Sequence, residues 1–212
     1  MKKAIMTMAC MAATMAVGAQ DIQLPTPDKS NPTTLFQALQ KRSSSREFAA
    51  KDITDAQLSS ILWAACGVNR PDEDPSKSKI TVPSALNRQD IEVIVIRKDG
   101  AFRYLPAENK LQQISKKDLR KAIAGPQTFA EDAPVSLLLV SNHSKFADMG
   151  NAAGRMGQVD CGYVSQNIAL ACAAMGLENV PRMTMDAETL RKELNLDSSY
   201  DLILNQQIGY GK

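Results

Sequence analysis

The chain has 212 residues, 44% of them hydrophobic, with 25 Lys and Arg against 23 Asp and Glu, a single His and a formal charge of +2. That length supports one well-buried core, and so small a basic surplus argues against a general nucleic-acid or anionic-membrane binder, which needs a basic stripe. A lone His, and no Walker-type loop, dinucleotide fingerprint or paired-cysteine motif, argue against a His-based metal centre and the common nucleotide folds.

Residues 1–19 read as a secretory leader: Lys2 and Lys3, an apolar stretch from Ala4 to Val17, then small residues Val17 and Ala19 before Gln20. The stretch falls short of the roughly 20 apolar residues of a membrane span. A rival reading takes Cys10 as a lipoprotein cleavage site. The leader holds two of the basic residues and none of the acidic ones, so the remainder is formally neutral. The chain is then expected to be exported, periplasmic or secreted. Residues 20–32, with three prolines, read as an extended arm, and 33–212 as a single domain.

Within that domain a short helix is expected from Thr34 to Lys41. A second runs from Thr54 to Cys66, opened by a Thr54/Gln57 capping box and ended by Gly67. Pro71 to Ser78 is a charged, proline-punctuated loop. The β-branched run Ile91 to Ile96, the turn signal Asp99-Gly100 and the segment Ala101 to Leu105 predict a hairpin. Ser115 to Ala124 reads as a short helix with Ser115 and Asp118 at capping-box spacing, and Val135 to Val140 as a central strand.

The longest helical stretch lies between Phe146 and Leu177, with a break placed near Gly157 and Val164, Ile168, Cys172 and Met175 on one side. Asp186 caps a helix to Leu194, and Asp201 to Tyr210 closes as a strand. The interleaving lacks regular βαβ spacing, so the class is α+β. Cys161 and Cys172, eleven residues apart on one helix, are about 16 Å apart and cannot bridge. With Cys66 they read as buried free thiols, although either could in principle meet Cys66.

Three segments could carry chemistry. Lys41 to Phe48 places Arg42 and Arg46 around Ser43, Ser44 and Ser45, forked donors and hydroxyls that suit a phosphate or form a solvated helix end. Pro83 to Asp90 is a polar loop before an apolar strand, where Ser84 and Asn87 could meet a planar heterocycle or form a turn. Asp160 to Asn167 alone is a packed helix. His143 reads as a surface or loop residue.

In order, RSSSREF at 42–48, LSSILWAACGVNRP at 58–71, PSALNRQ at 83–89, the long helix ending in AAMGLENVP at 181 and the closing IGY resemble the nitroreductase-like family of FMN-dependent oxidoreductases. The resemblance spans Leu35 to Gly211, and Leu62 to Pro71 is similar to the dehydrogenase branch that includes azoline-oxidising enzymes. It implies a central mixed or antiparallel sheet flanked by helices, FMN as cofactor, a small-molecule substrate and a homodimer with the flavin at the subunit interface. Arg42 and Ser44, with Ser43 beside them, match residues that hold the FMN phosphate. Arg46 matches a basic residue near flavin N1 and the C2 carbonyl, and Ser84 and Asn87 the pyrimidine edge. The stretch from Pro181 to Thr184 matches backbone amides near N5, with Met183 favoured; Met183 and Arg46 are thus the catalytic candidates. Where relatives continue with basic residues after the closing Gly-Tyr, only Lys212 stands here for that role. Leu86 and Trp63 are candidates for an apolar slot around the isoalloxazine. The implied activity is two-electron hydride transfer to or from a small organic substrate. The alternatives are a flavin-binding protein without turnover and a ligand-binding or structural domain without flavin.

Overall fold

A computed structural model describes residues 20–212; the leader read over 1–19 lies outside the described residues. Its centre is a seven-stranded sheet in the order β1-β6-β5-β4-β7-β9-β8, with every neighbouring pair antiparallel. The strands are β1 (Ile22–Gln23), β4 (Ile91–Arg97), β5 (Gly100–Leu105), β6 (Lys110–Ser115), β7 (Val135–Asn142), β8 (Glu178–Arg182) and β9 (Tyr200–Gly209). Of the two arrangements expected, mixed or antiparallel, the second holds. A two-stranded ribbon, β2 (Val68–Arg70) with β3 (Lys79–Ile80), lies apart from it.

The middle strands are buried on both faces, which explains their continuous apolar character. Val93 and Val95 of β4 and Leu137 and Leu139 of β7 face one layer of core. That layer also holds Leu58, Ile61 and Leu62 of α2 (Asp55–Cys66) and Val164, Ile168 and Cys172 of α4 (Ala153–Ala174). Ile94, Ile96, Leu138 and Val140 face the other layer, with Ile123 of α3 (Arg120–Ala124) and Leu190 of α5 (Ala187–Glu193). Helix α1 (Leu35–Lys41) packs outside on α4. Both α1 and α2 open with complete capping boxes, Thr34/Gln37 and Thr54/Gln57, and Asp186 caps α5. Cys66, Cys161 and Cys172 are buried and free.

Four sequence expectations need correction. The helix expected from Ser115 to Ala124 is confined to α3, because residues 110–115 pair with β5 and bury Leu111. Ser115 and Asp118 each turn back on an amide two residues ahead, Lys117 and Arg120, so no capping box forms. The long helix starts at Ala153, after 3-10 turns at His143–Phe146 and Gly150–Ala152, and runs through Gly157 without interruption. Gly157 is a contact point instead: a Cβ there would sit 2.7 Å from Ser141 Cβ. Residues 178–182 form β8, which the Pro181-containing sequence had concealed. The arm at 20–32 is stitched down through β1, buried Leu24 and an Asp28 amide donating to Ser60 Oγ at 2.9 Å.

Candidate functional site

Helix α1 ends at Arg42, whose N–H donates to Ala38 O at 2.9 Å. Two bonds fasten the chain beyond it: Ser45 N–H to Asn179 O of β8 (3.0 Å), and Ala49 N–H to Tyr210 O after β9 (2.8 Å), with Phe48 buried between them. Arg42, Ser43, Ser44 and Arg46 are left exposed on a short span held at both sides. Arg88, Arg97, Arg103 and Arg120 each pair with a carboxylate, whereas none of the described ion pairs uses Arg42 or Arg46. Two unpaired guanidinium groups flanking free hydroxyls suit an anion with several oxygens. The negative end of the α1 dipole opposes such an anion, so the side chains must supply the attraction.

Through the Ser45–Asn179 bond this span adjoins β8 and the residues after it. Pro181 and Met183 face outward, Met183 at 75% exposure, while Arg182 turns inward. The Arg182 guanidinium donates to Gln127 Oε1 (2.7 Å), Ala124 O (2.7 Å) and Thr184 O (2.8 Å), and Asn205 Nδ2 donates to Thr184 O as well (2.9 Å). The backbone beneath Met183 is therefore held from inside while its outer face stays open.

The 84–87 loop is built differently. Leu86, Asn87 and Gln89 all have positive φ (53°, 55° and 49°), a conformation that costs a non-glycine residue about 1 kcal/mol or more. Surrounding bonds hold it. Gln89 N–H donates to Ser84 Oγ (2.9 Å), Gln89 Nε2 to Ser78 O (2.7 Å) and to Asn87 Oδ1 (3.2 Å), and Lys145 Nζ to Gln89 O (2.6 Å). Ala85 N–H donates to Asp160 Oδ2 on α4 at 2.8 Å. Asp160 is 3% exposed and lies against Asp90, which is fully buried and accepts from Ser141 Oγ at 2.5 Å. Burial, with the Asp90 carboxyl beside it, pushes the Asp160 carboxyl up to about 6.

The structure thus sets the span of Arg42, Ser43, Ser44 and Arg46 beside β8 through the Ser45–Asn179 bond, with no described contact between those four residues and Pro181 or Met183. It does not join Ser84 and Asn87 to them: among the described residues the two groups share no hydrogen bond. Lys212 lies elsewhere, 3.5 Å from Asp132, beside a cavity of about 490 Å³ that Phe48, Lys51 and Arg120 also line. Trp63 is occupied by the arm, with Lys29 Nζ 4.6 Å above its ring, and Leu86 is 71% exposed. His143 pairs with Asp201 at 2.9 Å, away from both groups. Among the described residues no cluster of His, Cys, Asp and Glu could hold a metal. The outer surface of α1 and α4 exposes Leu35, Phe36, Leu39, Val159 and Tyr163, an apolar area that a single chain leaves uncovered. The Asp90–Asp160 pair has no local signature in the sequence: Asp90 closes the polar loop and Asp160 opens a packed helical stretch, and only the fold joins them.

A family model described as the nitroreductase family matches residues 39–210. A protein of Methanocaldococcus jannaschii, provisionally named a nitroreductase, is 29% identical over 194 residues, covering 87% of this chain and 93% of that one. A crystal structure from Ralstonia eutropha, also provisionally named a nitroreductase, is 33% identical with a TM-score of 0.82, over 91% of this chain and 90% of that one. A chain of the E. coli microcin synthetase complex McbBCD shares the fold at a TM-score of 0.69 and 19% identity, over 82% of this chain and 73% of that one.

Proposed function

We propose, from the premise that this chain belongs to the nitroreductase family, that it is an oxidoreductase that holds FMN between two copies of itself. One observation carries the reading: Arg42 and Arg46 stand exposed and without carboxylate partners around Ser43 and Ser44, on a span anchored to β8 and β9. Those residues fit the phosphate and the electron-rich edge of a flavin mononucleotide. FMN, when bound, supplies two-electron hydride chemistry at N5.

The chain's own residues do the rest. Arg42, Ser43 and Ser44 bind and orient the phosphate through charge-assisted bonds. Arg46 places a fixed cation where negative charge gathers on reduction, which favours the reduced state. The backbone from 181 to 184, clamped by Arg182 and Asn205 through Thr184 O, would offer its amides, Met183 first, to N5. Ser84 and Asn87 would meet the pyrimidine edge. The apolar outer face of α1 and α4 supports a homodimer in which the loop of one copy completes the site of the other. A small organic molecule is the reaction partner.

Export belongs to the same reading. Nicotinamide cofactors are kept in the cytoplasm, so an exported enzyme oxidises its substrate directly or takes electrons from another protein. Purified protein should show the visible bands of oxidised flavin, or gain them on reconstitution with FMN, and stopped-flow mixing should show slow reduction by NADH and NADPH. A colourless protein that FMN cannot reconstitute overturns the flavin assignment; rapid NADPH-driven turnover, or a leader that is never cleaved, overturns the exported role.

A further inference from the structure

We propose that Asp160 and Asp90 form a buried pair sharing one proton, and that Asp160 is thereby the positioning residue for the 84–87 loop. The loop's contact with a flavin rests on the function proposed above; the pair's hold on the loop does not.

Asp90 is fully buried and Asp160 nearly so, yet neither takes part in a described ion pair. The cations nearby are engaged elsewhere. Lys145 Nζ donates to Gln89 O at 2.6 Å, and Arg88 reaches Lys145 O and pairs with Asp148 at 2.7 Å; the His143 imidazole lies against Asp201. The other titratable groups here supply no positive charge. Cys161, next to Asp160 on α4, faces Asp90 with a thiol that burial pushes up to about 12, so it stays neutral. Glu92, two residues after Asp90, is committed to Arg103, Asn142 and Tyr200.

Two carboxylates in contact in a dry site cannot both be ionised. Donors account for one side of each group: Ser141 Oγ for Asp90 Oδ2 and the Ala85 amide for Asp160 Oδ2. Asp90 Oδ1 is buried and has no donor among the described residues. A proton on Asp160 supplies that missing donor, satisfies the orphaned oxygen and leaves Asp160 Oδ2 free to accept from Ala85. Gly157 makes room, since a Cβ there would press on the Ser141 side chain and approach Asp90 Oδ2 to 3.4 Å.

The consequence lies in the loop. Leu86, Asn87 and Gln89 hold left-handed conformations that only surrounding bonds sustain. Loss of the shared proton sets two negative charges against each other. Relief comes when one carboxylate turns away, which releases the Ala85 amide and lets Ser84 and Asn87 leave their positions.

The test follows the Ala85 amide by hydrogen exchange in flavin-free protein, and FMN affinity by fluorescence titration, both across about pH 5 to 8. Wild type should lose Ala85 protection as pH rises, and lose affinity by up to about tenfold for each pH unit above about 6, one proton's worth of linkage. Asp160→Asn keeps a donor toward Asp90 and an acceptor for Ala85, so both profiles should go flat with the loop held. Asp90→Asn should act likewise and serves if the first variant does not fold. Wild-type Ala85 protection that ignores pH, or an Asn variant that keeps the wild-type slope, overturns the proposal. Flat variants in a protein that takes up no FMN leave the proton pair standing and overturn the flavin reading alone.

Discussion

Arg42 and Arg46 are exposed and, unlike Arg88, Arg97, Arg103 and Arg120, have no carboxylate partner among the described ion pairs, and that makes their substitution informative. Arg42→Ala should weaken FMN binding by about 2 kcal/mol, roughly thirtyfold in Kd, because a phosphate oxygen loses a forked charged donor. Titration of the reconstituted protein checks it, and unchanged affinity removes Arg42 from the site. Arg46→Ala should instead leave binding closer to wild type and lower the midpoint potential of the bound flavin, read by dye-coupled redox titration; a fixed potential places Arg46 elsewhere. Both residues were legible in the sequence because their chemistry is local: two guanidinium groups and three hydroxyls within five positions. Asp90 and Asp160 were not. Their role depends on a contact across 70 positions of chain, and each alone reads as an ordinary helix or loop carboxylate.

At the scale of elements, the helices with capping boxes and the strands with β-branched runs were legible, since both signals are short-range. Strands β6 and β8 were not, because Lys110–Ser115 is polar at alternate and adjacent positions and Glu178–Arg182 contains a proline on the exposed side of an edge strand. Gly157 was misread for an instructive reason. A glycine within a helical run suggests a break, but here it allows α4 to lie close on β7. Gly157→Ala should therefore destabilise the protein by about 1–3 kcal/mol by overpacking, despite alanine's better helix propensity, as denaturant unfolding will show. The same contact has a pH signature. Asp160 binds its proton more tightly folded than unfolded, so the associated stability is complete below 3.8 and is lost as pH climbs through about 6. Asp160→Asn should flatten the decline in Tm over that interval, and a decline of wild-type steepness would refute the assignment.

The whole molecule is a scaffold that finishes less than it starts. Its sheet and two core layers are complete, but the loop at 84–87 and the span at 42–46 share no hydrogen bond among the described residues, and the outer face of α1 and α4 exposes apolar side chains that the proposed dimer would cover. Phe36, 81% exposed, sits in that face. Phe36→Asp should shift the protein from dimer to monomer in sedimentation velocity and lower flavin occupancy in parallel, while leaving the far-UV spectrum unchanged. A variant that stays dimeric moves the interface elsewhere. The overall class was legible from how helices and strands alternate; the separation of the 84–87 loop from the 42–46 span was not, because it is a property of three-dimensional placement.

The arm at 20–32 places a constraint on the order of assembly during synthesis. Its partners are spread along the chain: Ser60 accepts from the Asp28 amide across 32 positions, Gln113 from Gln20 across 93, and Ala174 O from Asn31 across 143. The arm can meet α2 early, but its docking is complete only once β6 and α4 have been made. Final closure is thus a late event that joins the arm to the end of α4, and a nascent chain stalled before β6 holds the arm by its α2 bonds alone.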